Sequence, residues 1–366
     1  MKLRHGRHTQ GMALIVAVIA VLVLSLLAAG FALSMKVETR LAINANSETQ
    51  LYWLGRSGVE LARWVLAEQS RVANEPYDAL NQIWAGGPGG GGETNGPLAG
   101  FSLQNYPIGD GTVSLKIIDR ERYANINSAT PQEIQQTLNL MGVDANDISV
   151  VSDSIQDWIQ PGDSPRVAGA KDDYYMGLDP PYHCKEAPID DLSELLLIRG
   201  ITPAMYDPEH FNATNQTGTV FHHRLGLNSA PGEAPNYPFG LKDVFTAISN
   251  GKINVNTADA NVLQLIPGVD APTADAIIKL RAGPDGVDGT DDDTPIQNLG
   301  QLAAAGINPQ IIGQMGNLCG TRSSTFEVHV TARLGPISRE YVALLWRASG
   351  GDIRVVSFYW VTQKQG

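Results

Sequence analysis

The chain has 366 residues and an ordinary globular composition, 43% hydrophobic and 17% charged, which excludes a disordered polymer. Its formal charge is −12, and without the basic residues Lys2, Arg4 and Arg7 it would be −15. A body that acidic repels nucleic-acid phosphates and anionic lipid headgroups, which argues against either as its main partner.

The first element follows a short basic leader. No charged residue occurs from Met12 to Met35, and at about 1.5 Å per residue this run spans a hydrocarbon core of about 30 Å. Ala28-Ala29-Gly30 makes a poor signal-peptidase site, and the apolar run continues past it. A retained transmembrane helix is therefore expected over 12–35, with the leader in the cytoplasm and the body translocated. From 36 to about 70 there is no proline, and Leu51, Leu54, Gly58, Leu61, Ala62, Val65 and Leu66 recur at spacings of three and four. One long helix, apolar all round and then amphipathic, accounts for both parts; an anchor followed by a separate helix is the alternative.

A basic leader ending in Gly11, an apolar run starting at Met12 and a helix running on into a soluble body together resemble the type IV prepilin class. The resemblance implies cleavage between Gly11 and Met12 by a prepilin peptidase, then methylation of the new N-terminus. Most members carry glutamate at the fifth mature position, where this sequence has Val16. Without that carboxylate a subunit cannot neutralise a neighbour's N-terminal amine, a charge that is costly to leave unpaired in a membrane. The resemblance thus implies a subunit that starts a fibre rather than extends one, and it narrows to the K-type minor pseudopilins of type II secretion.

Residues 71–120 are expected to form a linker, a Gly-rich loop (AGGPGGGGETNGP, 85–97) and a first β-hairpin in which FSLQNY and TVSLKII flank IGDG. The loop lacks Gly-Lys-Ser/Thr, so it reads as a flexible connector and not as a phosphate cradle. Strand signals return within 323–366 at TFEVHVTARL, SREYVALLWRA and IRVVSFYWVT, which alternate as antiparallel strands with one covered face. Strands on both sides of a long helical stretch most simply share one sheet. The expected fold class is α+β: a long N-terminal transmembrane and amphipathic helix packed on an antiparallel, pilin-like sheet, with a large all-α insert.

The insert contains a repeat. NINSATPQEI from Asn125 and NVNTADANVL from Asn254 share Asn-x-Asn-Ser/Thr-Ala before a helical segment, with Ser128 and Thr257 placed to cap those helices. Leu-rich segments, DDLSELLLIRGI (190–201) and IQNLGQLAAAGI (296–307), follow the two copies. Two α-subdomains are expected, 121–206 and 241–322, joined by a Pro/Gly/Asn-rich linker at 207–240. The second copy, INVNTADANVLQLIPGVDAPTADAIIKLR, resembles the helix-hairpin-helix (SAM-like) motif of DNA receptors and repair proteins, whose Pro-Gly-x-Gly turn offers N–H groups to phosphates. In Pro267-Gly268-Val269-Asp270 an aspartate replaces the second glycine, and its charge favours a packing module over a DNA site.

The stretch SIQDWIQPGDSPRVAGAKDDYYMGLDPPYHCKEAPIDDLSELLLIRGIT is similar to the corresponding part of the K-type (GspK) pseudopilins, through Asp157-Trp158-Ile159, Gly169-Ala170, Asp172, Tyr175 and Glu194-Leu195. With the prepilin start and the closing strands, the resemblance covers nearly the whole chain. Acidic clusters of this kind in the family can bind calcium, a hard ion that takes six to eight oxygen ligands. The resemblance implies Asp157, Asp163, Asp172 and Asp173 as candidates, although Gln160 and Lys171 stand where acids are usual. A second cluster, Asp285, Asp288, Asp291, Asp292 and Asp293, lacks EF-hand spacing, and a calcium loop and a hydrated acidic loop both stay open there. Calcium is the only cofactor these residues suggest.

In an exported protein Cys184 and Cys319 are expected to pair, two separate buried thiols being the alternative. There is no His-Glu-x-x-His, no Gly-x-Ser-x-Gly and no zinc-spaced Cys/His group; His222-His223 and His183-Cys184 read as surface residues.

The sequence therefore reads as a non-enzymatic minor pseudopilin, crossing the bacterial inner membrane once with its head in the periplasm. The resemblance implies as partners other minor pseudopilins at the pseudopilus tip, the prepilin peptidase, the inner-membrane platform and the outer-membrane channel. A bulky insert points the same way, because it would clash with a subunit packed above it anywhere but at a tip. The alternatives are a minor pilin of a type IV pilus and, in another class, a membrane-anchored helix-hairpin-helix DNA receptor.

Overall fold

A computed structural model describes residues 9–89, 96–214, 236–349 and 351–361. Helix α1 (Thr9–Gln69) runs unbroken through the apolar and amphipathic parts, a length of about 90 Å at 1.5 Å per residue. Its stretch Met12–Thr39 reaches a mean hydropathy of 3.0 and is not covered by the rest of the chain. The Ser25 hydroxyl donates to the Val21 carbonyl (2.8 Å) and the Thr39 hydroxyl to that of Met35 (2.7 Å), so these donors need no partner from lipid.

The second half of α1 is one-sided. Leu51, Leu54, Val59, Ala62, Val65 and Leu66 are buried while Tyr52, Trp53 and Trp64 are exposed. Next come β1 (Tyr106–Ile108) and β2 (Gly111–Asp119). Strand β1 is shorter than the alternation of FSLQNY suggests, because Phe101 turns to meet the Trp64 ring edge-on at 5.4 Å and Leu103 enters the helix–sheet core.

Beyond Asp119 the chain builds two copies of one arrangement. The first runs from β3 (Ala124–Asn125) through α2 (Pro131–Met141), α3 (Ala145–Ile159), α4 (Asp172–Tyr175), a 3-10 segment at Leu192–Leu197, α5 (Pro203–Tyr206) and α6 (Pro208–Thr214) to β4 (Phe245–Thr246). The second runs from β5 (Ile253–Asn254) through α7 (Ala260–Leu263), α8 (Ala271–Arg281), a 3-10 segment at Leu299–Ala305 and α9 (Pro309–Leu318) to β6 (Cys319–Gly320). In each copy the first and last strands pair in parallel, as strands joined by a helical crossover do. The insert is therefore not all-α, a correction that two-residue strands are too short to announce in sequence.

Strands β7 (Thr325–Leu334), β8 (Ile337–Ser349) and β9 (Asp352–Val361) complete an antiparallel sheet of order β1-β2-β7-β8-β9. Strand β2 pairs with β7 from Thr112↔Arg333 to Asp119↔Phe326, so the insert emerges between two adjacent strands. Helix α1 lies close on this sheet because glycines face it: a Cβ on Gly58 would sit 2.4 Å from Val330 Cγ1, and one on Gly55 would sit 2.5 Å from the Tyr341 ring. The buried residues form two cores with no member in common, one inside 124–319 and one between α1 and the sheet.

Candidate assembly site

Two parts of the molecule bear on assembly, the bare apolar stem and the joint that sets the insert on the body. In the stem, Gly11 and Met12 lie in the first turns of α1, and Val16 is 66% exposed with no charged residue near it in sequence. Further along, α1 exposes Tyr52 and Trp53, and the sheet edge β9 exposes Val356, Tyr359 and Trp360.

The joint is a buried polar network. Asp119 Oδ2 accepts hydrogen bonds from Asn254 Nδ2 (3.0 Å) and from the hydroxyls of Thr257 (2.6 Å) and Ser323 (2.7 Å), and Oδ1 accepts from the Glu121 N–H (2.8 Å). Burial pushes this carboxyl up to about 7, with Glu121 and Asp78 adding to the rise and the two hydroxyls opposing it. Asp78 pairs with Arg347 and accepts from the Ser323 N–H (2.8 Å). Arg347 also lies 5.0 Å from the Phe326 ring centre and donates to the Ser70 hydroxyl (3.1 Å) just past the end of α1. Glu121 accepts from the N–H groups of Asn250 (3.1 Å) and Thr325 (3.0 Å) and from the Ser324 hydroxyl (2.9 Å). Insert and body are thus locked by groups that water does not reach. Sequence reasoning missed Asp78, Asp119, Glu121, Ser323 and Arg347; Asn254 and Thr257 carried a signal, through the repeat.

The repeat has a structural purpose. Asn127 Nδ2 donates to the Ile189 carbonyl (2.9 Å) and its Oδ1 accepts from the Ile189 N–H (2.7 Å), and Asn256 grips Ile296 in the same way (2.9 and 2.8 Å). Each second asparagine therefore ties its copy to the start of that copy's Leu-rich segment. Each first asparagine, Asn125 or Asn254, accepts the N–H two residues on (2.9 and 3.0 Å), an Asx turn. Ser128 and Thr257 do not cap helices, contrary to expectation. The helices begin later, behind Thr130 and Asp259, leaving the Ser128 hydroxyl on the Asn125 carbonyl (3.3 Å) and the Thr257 hydroxyl on Asp119.

A second shared string, overlooked in sequence, is Gly142-Val143-Asp144-Ala145 and Gly268-Val269-Asp270-Ala271. Both glycines have φ near +80° (80° and 83°), and both aspartates cap the next helix, Asp144 from the Asn146 N–H (2.9 Å) and Asp270 from the Thr273 N–H (3.0 Å). The Thr273 hydroxyl and N–H hold the Asp270 carboxyl below its ordinary range. This anion occupies the helix N-terminus that a phosphate would need. A Cβ on Gly268 would lie 3.2 Å from Ile311, so the turn faces α9.

The calcium candidates are not brought together. Among the described residues no three His, Cys, Asp or Glu side chains converge as a metal ion would require. Asp157 is buried and accepts from the N–H and Nη1 of Arg166, both at 2.9 Å. Asp172 accepts from the Cys184 N–H (2.7 Å) and meets His183 Nδ1 (2.8 Å), while Asp163 and Asp173 are exposed. In the second cluster Asp288 is held through both oxygens by Arg281 (3.0 and 2.7 Å). Asp285, Asp292 and Asp293 accept the N–H groups of Val287, Asp285 and Gly289, and Asp291 is exposed. Calcium does not fit either donor set as arranged, because Asp157, Asp172, Asp285, Asp288, Asp292 and Asp293 are engaged by cationic side chains, His183 or backbone N–H groups, and the exposed Asp163, Asp173 and Asp291 do not converge with them.

The expected bridge is also corrected: Cys184 and Cys319 are free, buried thiols in different copies of the insert. Cys184 donates to the Asp157 carbonyl (3.5 Å) and Cys319 lies in β6. Burial raises both thiols, Cys319 to about 12, which suppresses the reactive thiolate. His222, His223 and the middle of the expected linker lie outside the described residues, as do residues 1–8 and 90–95.

A family model described as "Type II secretion system (T2SS), protein K" matches residues 113–208, which hold most of β2 and most of the first insert copy. The chain is 25% identical to the type II secretion system protein K of Pseudomonas aeruginosa, over 97% of this chain and 93% of that one. It is 26% identical to the protein of the same description from Aeromonas hydrophila, over 55% of this chain and 61% of that one. The fold is similar to a solved structure described as the GspK-GspI-GspJ complex from the enterotoxigenic Escherichia coli Type 2 Secretion System, with a TM-score of 0.61 and 18% identity, covering 87% of this chain and 99% of that chain.

Proposed function

The chain belongs to the type II secretion system protein K family, and from that premise we propose that this minor pseudopilin starts the pseudopilus and caps its tip. It is a structural component and not an enzyme. The observation that carries the reading is where the insert is fastened. Asn254 Nδ2 of the insert donates to the Asp78 carbonyl (3.0 Å), and Asp78 is held through Arg347 to Ser70, at the end of α1 furthest from the apolar stretch. In a fibre of parallel stems, that position is where a following subunit would stack, and only the tip leaves it open.

Four further elements complete the proposal. Cleavage between Gly11 and Met12 by a prepilin peptidase frees the stem, which stands in the inner membrane with the head in the periplasm. Val16 in place of a carboxylate deprives the subunit of the usual pairing to a preceding neighbour. Its neighbours are two other minor pseudopilins, as the complex named above contains, and they meet α1 near Tyr52 and Trp53. The two insert copies act as helix-hairpin-helix-type packing modules, since Asp270 fills the place of a phosphate. Neither a type IV pilus subunit nor a DNA receptor is favoured.

Two measurements test this. The N-terminal mass from native membranes should begin at methylated Met12, and Gly11→Ala should retain the leader. Immunogold labelling of the head on overproduced pseudopili should fall at one end of each fibre, and label spread along the shafts would sink the tip assignment.

A further inference from the structure

The acidic loop that begins at Asp157 encloses a cation of its own. Lys171 is only 5% exposed, yet its ammonium finds three acceptors for its three donors: the carbonyls of Asp157 (2.8 Å) and Gln160 (2.5 Å) and Glu186 Oε1 (3.2 Å). Those carbonyls lie at the C-terminal end of α3, where main-chain oxygens lack helical partners and the helix dipole favours positive charge. Two carbonyls and a carboxylate around a buried centre are the oxygens a hard divalent ion would use. The buried carboxylate of the loop, Asp157, is neutralised by Arg166, and a Cβ on Gly169 would sit 1.9 Å from its Oδ2, so the loop wraps it closely.

The second acidic loop repeats the device with a different residue. Arg281, 3% exposed, donates from Nη1 to the carbonyls of Val255 (2.7 Å) and Ala258 (2.8 Å), while Nε and Nη2 hold Asp288. Again two main-chain oxygens and one carboxylate surround a buried positive side chain. We propose that Lys171 and Arg281 are the resident cations of these loops, so that the insert closes and stays folded without a divalent metal ion. A free ion would have to displace a charge tethered to the same chain and then stand beside it. The fold of the head is thereby uncoupled from the divalent-ion level around it.

The test uses the full chain in detergent, with thermal unfolding followed in excess EDTA and in millimolar calcium. Terbium emission sensitised by Trp158, whose ring meets Tyr175 edge-on at 5.3 Å beside the loop, gives a local readout. The wild-type midpoint should be the same in both solutions, with no sensitised emission. Lys171→Met, which keeps the stem and removes the donors, should lower the midpoint by several degrees in both. Lys171→Glu sets a second carboxylate beside Glu186 and should give a protein destabilised in EDTA and raised by calcium. A wild-type midpoint that falls in EDTA, with terbium emission present, would overturn the proposal. So would a Lys171→Met midpoint equal to that of the wild type. These two arms decide the matter if Lys171→Glu does not fold.

Discussion

The helix–sheet body and the insert bury their apolar residues in opposite ways. The body relies on long elements, with a ten-residue β7 and a thirteen-residue β8 against a helix whose glycines let the backbones approach. Its core is filled by large rings such as Trp84 and Phe326, which meet edge-on at 5.3 Å. The insert is made of helices of 4 to 15 residues and 3-10 segments, lengths at which a helix does not sustain itself. It compensates with side chains that grip backbone: Asn127, Asn256, Lys171 and Arg281. Pattern and packing hold the body; specific polar clamps hold the insert.

That contrast can be broken most severely at the joint, which both regions share. Arg347→Ala leaves Asp78 buried without its partner and should cost roughly 3–5 kcal/mol, lowering insert and body together in urea unfolding. A loss confined to one region would show that the joint does not couple them. Gly58→Val strikes the body alone: overpacking against Val330 should cost about 3 kcal/mol. Hydrogen exchange should then rise in β7 and β8 while α2 and α3 keep their protection. Asn256→Ala strikes the insert alone by removing both bonds to Ile296, at about 1–2 kcal/mol, with exchange rising in 296–307 and the sheet unchanged.

Two titrations sharpen the comparison further. Burial raises Asp119 from 3.8 to about 7, so between these values the native state holds a proton that the unfolded chain has lost. The contribution of Asp119 is thus fully present below about pH 4 and is lost as pH rises through 7, with a slope of at most ~1.4 kcal/mol per pH unit. Subtracting the urea profile of Asp119→Asn from that of the wild type should isolate this falling slope, and a flat difference would contradict it. The smallest effect is expected at His329 on β7, where the hydrogen bond to Glu327 and that to Glu340 raise its pKa against burial. Its contribution is present below the ordinary histidine range and fades as pH rises through the raised value. His329→Gln should cost about 0.5 kcal/mol or less at pH 6 and nothing measurable at pH 9, since the pair is partly exposed.

Much of the body was legible because it is written in periods. The three-and-four spacing of Leu51 to Leu66 and the alternation of β7 are local signals that burial then obeys, whereas β8 buries five successive residues, Tyr341 to Leu345, against the expected alternation. In the insert the Asn-x-Asn repeat was visible, and its role was misread, because a hydroxyl before a helix suggests a cap while Thr257 instead turns to Asp119. The calcium and disulfide expectations failed for a related reason. Residue type named possible ligands at Asp157 and Asp288 and a possible bridge from Cys184 to Cys319, and type alone does not reveal that Arg166 and Arg281 hold those carboxylates or that each thiol is buried in its own copy.

The sequence by itself determined the membrane-length stem, the absence of a carboxylate at Val16, the antiparallel closing strands and the duplicated insert, since each depends on spacing along a short stretch of chain. Only the tertiary structure decided that β2 joins β7, that Asp119 meets Ser323 across 204 positions, and that Lys171 and Arg281 fill the centres of the acidic loops. Those pairings follow from which groups are left in reach once water is excluded, and no local period encodes that.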